Sequence, residues 1–466
     1  MAGLDLETAG VADVQDSMTR GELSSVDLVH AYLQRIEAYD RRGPAVHAIR
    51  CLAPDAEAEA GTRDRERRDG ATRGPLHGVP VLVKDNIDVA GLPTTGGALA
   101  LEHSVPDRDA DLVAALRDAG AVILGKTNLT ELANFMTEGM PSGYSSLGGQ
   151  VLNPYDVTVS PCGSSSGSGA AAALAFATVT VGTETDGSII CPADAQSLVG
   201  VKPTLGLVKG TGILPVATSQ DCAGPLTRSV ADAAVLLAAL ARANLDLSPD
   251  ALAGARLAVP PCPDDLHDED RALFLAALED MRTQGAEILD VPPLVETDET
   301  PVFVYEFARD VDAYLARLPE GAPMRTLADI ARWNDAHATQ ALKFGQKYVR
   351  EAIAVDHRAQ RSVYLQARAR DRAVAGEHGI DAVLQAHGAV ALLTPSWHGA
   401  GVAARAGYPS VTVPAGYRAS SRRPFGVTFL GPARSEAFLL SLALDYEQVS
   451  GARRPVSEVN PSLVRS

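Results

Sequence analysis

The sequence predicts a layered α/β fold, and three features carry that prediction. Short β-branched runs recur from Gly74 onward, among them "VPVLVKD", "AVILG", "ATVTVGT", "AVALLTP", "SVTVPAG" and "GVTFLG". Helical patterns such as "DADLVAALRDAG" and "SVADAAVLLAAL" separate them, and strands alternating with helices imply a sheet packed against helices. At 466 residues the chain is long enough to bury a substantial core.

Taken in order, "SSVDLVHAYLQRIEAYD" offers Ser24 and Asp27 as a capping box, with Leu28, Tyr32, Leu33 and Ile36 on one helical stripe. A docked amphipathic helix is expected there. The segment "DAEAEAGTRDRERRDG" (55–70) mixes both signs of charge and reads as a solvated helix face at the edge of the core. Strand and helix signals then alternate over 71–300. Between Phe303 and about Gly379 the strand signals vanish and helical periodicity takes over, which predicts a helical insertion or cover. Substrate specificity commonly resides in such additions. The remainder, 380–466, returns to strands and a helix, so one domain over 1–466 is expected, led by a helical segment at 1–70.

Composition excludes several classes of function. With 41 basic against 58 acidic residues the net charge is −17, and no Lys/Arg stripe forms. An electrostatic grip on nucleic acid or an anionic membrane is therefore not expected. No apolar stretch reaches the ~20 residues that span a bilayer, and "MAGLDLETAGVADVQD" has neither a basic start nor an apolar core. A cytoplasmic protein is the expectation. The five cysteines are odd in number and contain no CxxC pair, which fits reduced thiols better than a disulfide framework or a zinc site. No metal is expected.

Three motif matches fail on context. "GAVILGKT" (120–127) satisfies the P-loop pattern, but Ala121 to Leu124 read as the strand itself and Gly120 as the C-cap of the preceding helix. "GSGAAA" nearly matches a dinucleotide fingerprint, yet "VLNPYDVTVSPC" upstream carries two prolines where the first strand would lie. "GSSSG" (163–167) fits a nucleophile elbow centred on Ser165, with His378, His387 and His398 as late histidines. Pro154 and Pro161 again break the strand such an elbow requires.

The segment "SPCGSSSGSGAAAALAFATVTVGTETDGSIICPA" (160–193) holds six serines, and a neutral lysine can activate one where no histidine is well placed. Burial disfavours the ammonium and lowers a lysine pKa by several units, giving a base near neutral pH. Lys84 closes the apolar run "VPVLVK" where the chain leaves a central strand, the end at which open α/β sheets place their chemistry.

At these residues the sequence resembles the amidase signature family over 74–240, with weaker similarity towards both termini. "GPLHGVPVLVKDNIDVAGLPTT" looks like that family's lysine strand, "GKTNLTELANF" its next strand and turn, "SPCGSSSGSG" its Gly/Ser loop, "TETDGSIICPA" its nucleophile loop, and "GPLTRSVADAAVLL" the helix that follows. The resemblance implies a large mixed, mostly parallel sheet covered by helices on both faces. It also implies a Ser-cisSer-Lys triad, with Lys84 as base, Ser164 as bridge in a cis peptide, and Ser188 as nucleophile. A hydroxyl that donates and accepts at once suits the bridging position. The amides of Thr185, Asp186, Gly187 and Ser188 can converge as an oxyanion hole. The implied reaction is acyl transfer from an amide to Ser188 and then to water, with no metal or organic cofactor.

Glu184, Asp186 and Ile190 stand where the broad family has Asp, Gly and Arg, departures shared with the peptide amidases, which remove the C-terminal amide of peptides. "SPCGSSSGSG", "GTETDGSI" and "SQDCAGP" look like that subgroup, as does the helical region from "VYEFARD" to "FGQKYV". The likeness argues against a tRNA-dependent amidotransferase subunit and against membrane-anchored fatty-acid amide hydrolases. Leu147 and Gly210 replace the subgroup's arginines, and the loop before Tyr408 is short, so a reshaped pocket is expected. Hydrolysis of a peptide C-terminal amide or a related small amide is the favoured function. An amide-forming acyltransferase on the same scaffold is the alternative, and an esterase using Ser165 the further one. Cys162 and Cys191 are expected to be buried packing residues, His77 and His398 structural or pocket-lining, and Asp186 a cap on local amides.

Overall fold

The computed structural model describes residues 4–464. Among them eleven strands form one mixed sheet. They are β1 (Ile49–Leu52), β2 (Pro80–Lys84), β3 (Val122–Thr127), β4 (Val179–Glu184), β5 (Val199–Lys202), β6 (Cys222–Thr227), β7 (Arg256–Val259), β8 (Glu287–Asp290), β9 (Ala391–Pro395), β10 (Ser410–Tyr417) and β11 (Pro424–Leu430). Their spatial order is β1-β3-β2-β4-β6-β5-β10-β11-β9-β7-β8.

The α/β sheet expected from the sequence is present, with a different balance of directions. Four pairings, β3/β2, β2/β4, β9/β7 and β7/β8, are parallel, and the other six are antiparallel. A β-branched run reads alike in either direction, so direction depends on the connections; the short link between β10 and β11 closes a hairpin rather than a crossover.

The central strands explain the continuous apolar runs. Every residue of β2, "PVLVK", and of β4, "VTVGTE", is buried, as strands covered on both faces must be. The helix Ser166–Ala173, "SGSGAAAA", is buried along its whole length and packs on β2, β4 and β6. Small side chains allow that close seat: a Cβ at Gly167 would stand 2.6 Å from the Ala48 carbonyl oxygen. This approach aims the helix start, and the serines before it, at the C-terminal ends of β2 and β4.

At the N-terminal side the capping box forms as expected, with Ser24 Oγ accepting from the Asp27 amide and Asp27 Oδ2 from the Ser24 amide, each at 3.0 Å. Leu28, Tyr32 and Ile36 are buried, and Leu33 is half-buried. No strand lies between β8 and β9. The helix Thr300–Leu315 buries Val302, Phe303, Phe307, Val311 and Leu315 at helical spacing. These join Leu132, Phe135, Met136, Met140, Leu214 and Val216 in an apolar cluster of their own. No helix among the described residues is long and apolar enough to cross a membrane.

Candidate active site

Lys84, the last residue of β2, is fully buried between β3 and β4. Its Nζ lies 2.8 Å from Ser164 Oγ, 2.9 Å from Thr183 Oγ1 and 3.1 Å from the Thr183 carbonyl oxygen. Burial lowers its pKa to about 7, against the opposing pull of Asp221 and Glu184. The three contacts fit a neutral amine. Two N–H groups donate to Thr183, and the remaining lone pair can accept the Ser164 hydroxyl proton. That arrangement lets an amine draw a proton from a serine.

Ser164 is fully buried and follows a cis Gly163–Ser164 peptide. Its carbonyl accepts from the Thr130 amide at 3.0 Å, and the next amide, of Ser165, donates to the Ser188 carbonyl at 3.2 Å. This backbone bond sets the Gly/Ser loop beside the loop after β4. Lys84 and Ser164 are thus in direct contact, and Ser188 is joined to them through backbone; its Oγ makes no hydrogen bond among the described residues. Ser188 is 7% exposed, whereas Ser164 is 0%, so of the two only Ser188 has a face open to a substrate.

The other serines are occupied. Ser165 Oγ donates to the Thr183 carbonyl at 3.0 Å, Ser166 Oγ to the Cys162 carbonyl, and Ser168 Oγ to the Val181 carbonyl at 3.1 Å. Ser165 stands at the start of a helix deep in the core, its hydroxyl bonded to the Thr183 backbone with no histidine partner, which disposes of the elbow. Lys126 is also accounted for: it lies in β3 and pairs with Asp85 at 3.0 Å, both buried, so the P-loop likeness is a strand.

The turn 185–188 is held from several sides. Gly187 has φ +69°, which favours glycine, and a Cβ there would stand 3.7 Å from the half-exposed Trp397 ring. Glu184 Oε2 accepts the amides of Ile189 and Ile190 at 2.7 and 3.0 Å. The amides of 185–188 donate to no acceptor among the described residues. Asp186 was expected to cap local amides; Glu184 does so instead. The Asp186 carboxyl lies against Glu299, whose pKa is raised by burial and then by the Asp186 charge.

Two supports escaped the sequence reading. Thr183 fastens Lys84, and Asp221 Oδ1 accepts the Thr185 hydroxyl at 2.6 Å. The period-2 alternation along "VTVGTE" (179–184), which sets Thr183 on the same side of the strand as Val181 and Val179, was the available signal for Thr183. Elsewhere His77 is buried with Nε2 3.0 Å from the Arg63 carbonyl, and His398 stacks on Trp397. Leu147 is half-buried, and Gly210 is exposed with open space around it. No group of three or more His, Cys, Asp or Glu among the described residues is disposed to hold a metal ion.

The cysteines require a correction. Cys162 and Cys191, expected as separate thiols, form a disulfide with Cα atoms 5.8 Å apart. They lie 29 residues apart in sequence, so neither count nor local spacing signals the pairing; the Ser165–Ser188 backbone bond brings their loops together. Cys51, Cys222 and Cys262 are free. Thiol titration of the denatured, unreduced protein is expected to find three thiols; five would contradict the bridge.

Comparison with known proteins bears on the family and the fold. The amidase family profile matches residues 27–440. A probable amidase of Arabidopsis thaliana is 34% identical over 97% of this chain and 91% of its own length. The crystal structure of native peptide amidase from Stenotrophomonas maltophilia superposes with a TM-score of 0.90 at 44% identity, covering 96% of this chain and 98% of that one. A peptide amidase bound to the competitive inhibitor chymostatin gives 0.91 at 44% identity, covering 96% and 99%.

Proposed function

Because the chain belongs to the amidase family and is an amide hydrolase, we propose that it acts through an acyl-enzyme on Ser188, with Ser164 as proton relay and Lys84 as base. The observation that carries this reading is the 2.8 Å contact between a fully buried amine and Ser164 Oγ. Ser188 Oγ adds to the amide carbonyl while its proton passes to Ser164 Oγ and the Ser164 proton to Lys84 Nζ. The oxyanion is received by the unpaired amides of Thr185, Asp186, Gly187 and Ser188, each donor of this kind lowering the barrier by ~3 kcal/mol. The proton returns along the same path to the leaving nitrogen, and the C–N bond breaks. Water then gives a proton to Ser164, adds to the ester and releases the acid with Ser188 restored.

For substrate we infer a peptide C-terminal amide, supported by 44% identity to a peptide amidase across nearly the whole of both chains. Trp397 over Gly187 offers an apolar face for such a chain. Hydrolysis is favoured over the acyl-transfer alternative by the same relatives, and over a Ser165 esterase by the committed Ser165 hydroxyl. The cytoplasmic location belongs to this proposal too; the Cys162–Cys191 bridge stands against it, since cytosolic thiols are kept reduced. The test is ammonia release from amidated peptides, with free glutamine and simple carboxamides beside them. Faster release from amidated peptides is expected; equal or faster release from the small carboxamides would refute the substrate assignment.

A further inference from the structure

Ser164 and Ser188 stand on separate loops, and few hydrogen bonds join those loops directly. The Ser165 amide donates to the Ser188 carbonyl at 3.2 Å. Farther out, Gln196 Nε2 donates to the carbonyls of Pro161 and Ser166 at 3.1 and 3.2 Å. Ser188 Oγ makes no hydrogen bond among the described residues, so backbone placement sets it against Ser164.

The Cys162–Cys191 disulfide is the covalent tie between the loops. Cys162 lies two residues before Ser164, and Cys191 three after Ser188. The Cys191 amide donates to the Gly187 carbonyl at 2.8 Å, so the bridge also grips the turn 185–188. At its other end Cys162 holds φ +54°, a left-handed conformation that residues other than glycine rarely adopt. Its amide donates to Ser160 Oγ at 3.1 Å and its carbonyl accepts the Ser166 hydroxyl. Neither bond reaches the nucleophile loop. Once the bridge is cut, Cys162 is free to leave that conformation and to carry Ser164 with it.

We propose that the Cys162–Cys191 pair is a positioning element for amide hydrolysis, holding Ser164 and Ser188 in register, and that its reduction by a dithiol lowers turnover reversibly. The inference rests on Ser188 and Ser164 acting as nucleophile and relay. Cys162 is half-buried and Cys191 is 6% exposed, so the dithiol thiolate attacks Cys162 Sγ. The S–S bond breaks, and Cys191 leaves as a thiolate and takes up a proton. The second dithiol sulfur then closes on the first and releases Cys162 as a thiol, so the reagent becomes a cyclic disulfide as the bridge is reduced. Cys51, Cys222 and Cys262 are already thiols, which leaves the reagent no other bond in this chain to cut.

The experiment measures kcat and KM for an amidated peptide, the thermal melt and the thiol count. It compares wild type before and after dithiothreitol, wild type reoxidised with oxidised glutathione, and Cys162→Ser/Cys191→Ser. Reduction is expected to raise the thiol count from three to five. With the protein still folded at the assay temperature, kcat is expected to fall about tenfold or more, since a misplacement of about 1 Å costs up to about a hundredfold. KM should stay unmoved, and reoxidation should restore kcat. The double variant should match the reduced enzyme and not respond to dithiothreitol. A bridge that only stabilises the fold would lower the melt and leave the folded protein's kcat alone; that result, or a rate loss that merely follows the folded fraction, overturns the proposal. Should the double variant fail to fold, reduced wild type decides; should dithiothreitol leave three thiols, the double variant decides. Wild-type kcat in either overturns it, and if neither gives a folded protein without the bridge, the role is structural and the proposal falls. Undiminished turnover in Ser188→Ala would instead remove the nucleophile assignment, and this inference with it; no change at the cysteines gives that result.

Discussion

Ser188→Ala is expected to lower kcat for amide hydrolysis by about 10⁴-fold or more while leaving the fold intact. The size follows from what the hydroxyl does: it is the only oxygen of the triad with a face open to substrate, and no neighbouring serine can replace it. Ser164 is fully buried and Ser165 is committed to the Thr183 carbonyl. The small structural cost follows from the same geometry, because Ser188 Oγ makes no hydrogen bond that the alanine would break, so stability should change by no more than about 0.5 kcal/mol. Ammonia release and a thermal melt measure the two effects. A variant retaining a tenth of the wild-type rate would exclude Ser188 as nucleophile.

Lys84→Met should be as damaging to turnover, about 10⁴-fold, by a different route. Methionine fills most of the same buried space but can neither accept the Ser164 proton nor return it to the leaving nitrogen. Stability is the discriminating measurement. Removing a buried amine relieves its desolvation, and the Thr183 carbonyl keeps the Ser165 hydroxyl as donor, so the melt should shift by no more than about 1–2 kcal/mol. A collapse of the fold would identify Lys84 as structural, the role that Lys126 plays in its pair with Asp85.

Much of this was legible before any coordinates. The lysine strand, the Gly/Ser loop and the nucleophile loop are long ordered motifs that single out Lys84, Ser164 and Ser188 as candidates by position, and of these the structure brings Lys84 and Ser164 into contact. The capping box at Ser24 and the strand-free stretch after residue 300 were readable because helix signals are local. What remained hidden depends on register and long-range approach. Thr183 acquires its role only because β2 and β4 lie side by side, and Asp221 because β6 runs antiparallel to β4. The Cys162–Cys191 bridge required two loops to meet, and the excess of antiparallel pairings required knowing which way each connection turns the chain. Asp186 was expected to cap local amides and Glu184 was noted only as a departure from the family's Asp, yet it is Glu184 that holds the amides of Ile189 and Ile190.

The central claim is that a buried, neutral Lys84 activates Ser188 through Ser164. Its most direct test is the pH dependence of the rate at which a fluorophosphonate probe modifies the protein, with the adduct located by mass spectrometry. The expected result is a single adduct on Ser188, formed at a rate that rises with a midpoint near pH 7, where Lys84 loses its proton, and almost abolished in Lys84→Met. A rate independent of pH through that region, or an adduct on Ser165, would contradict it.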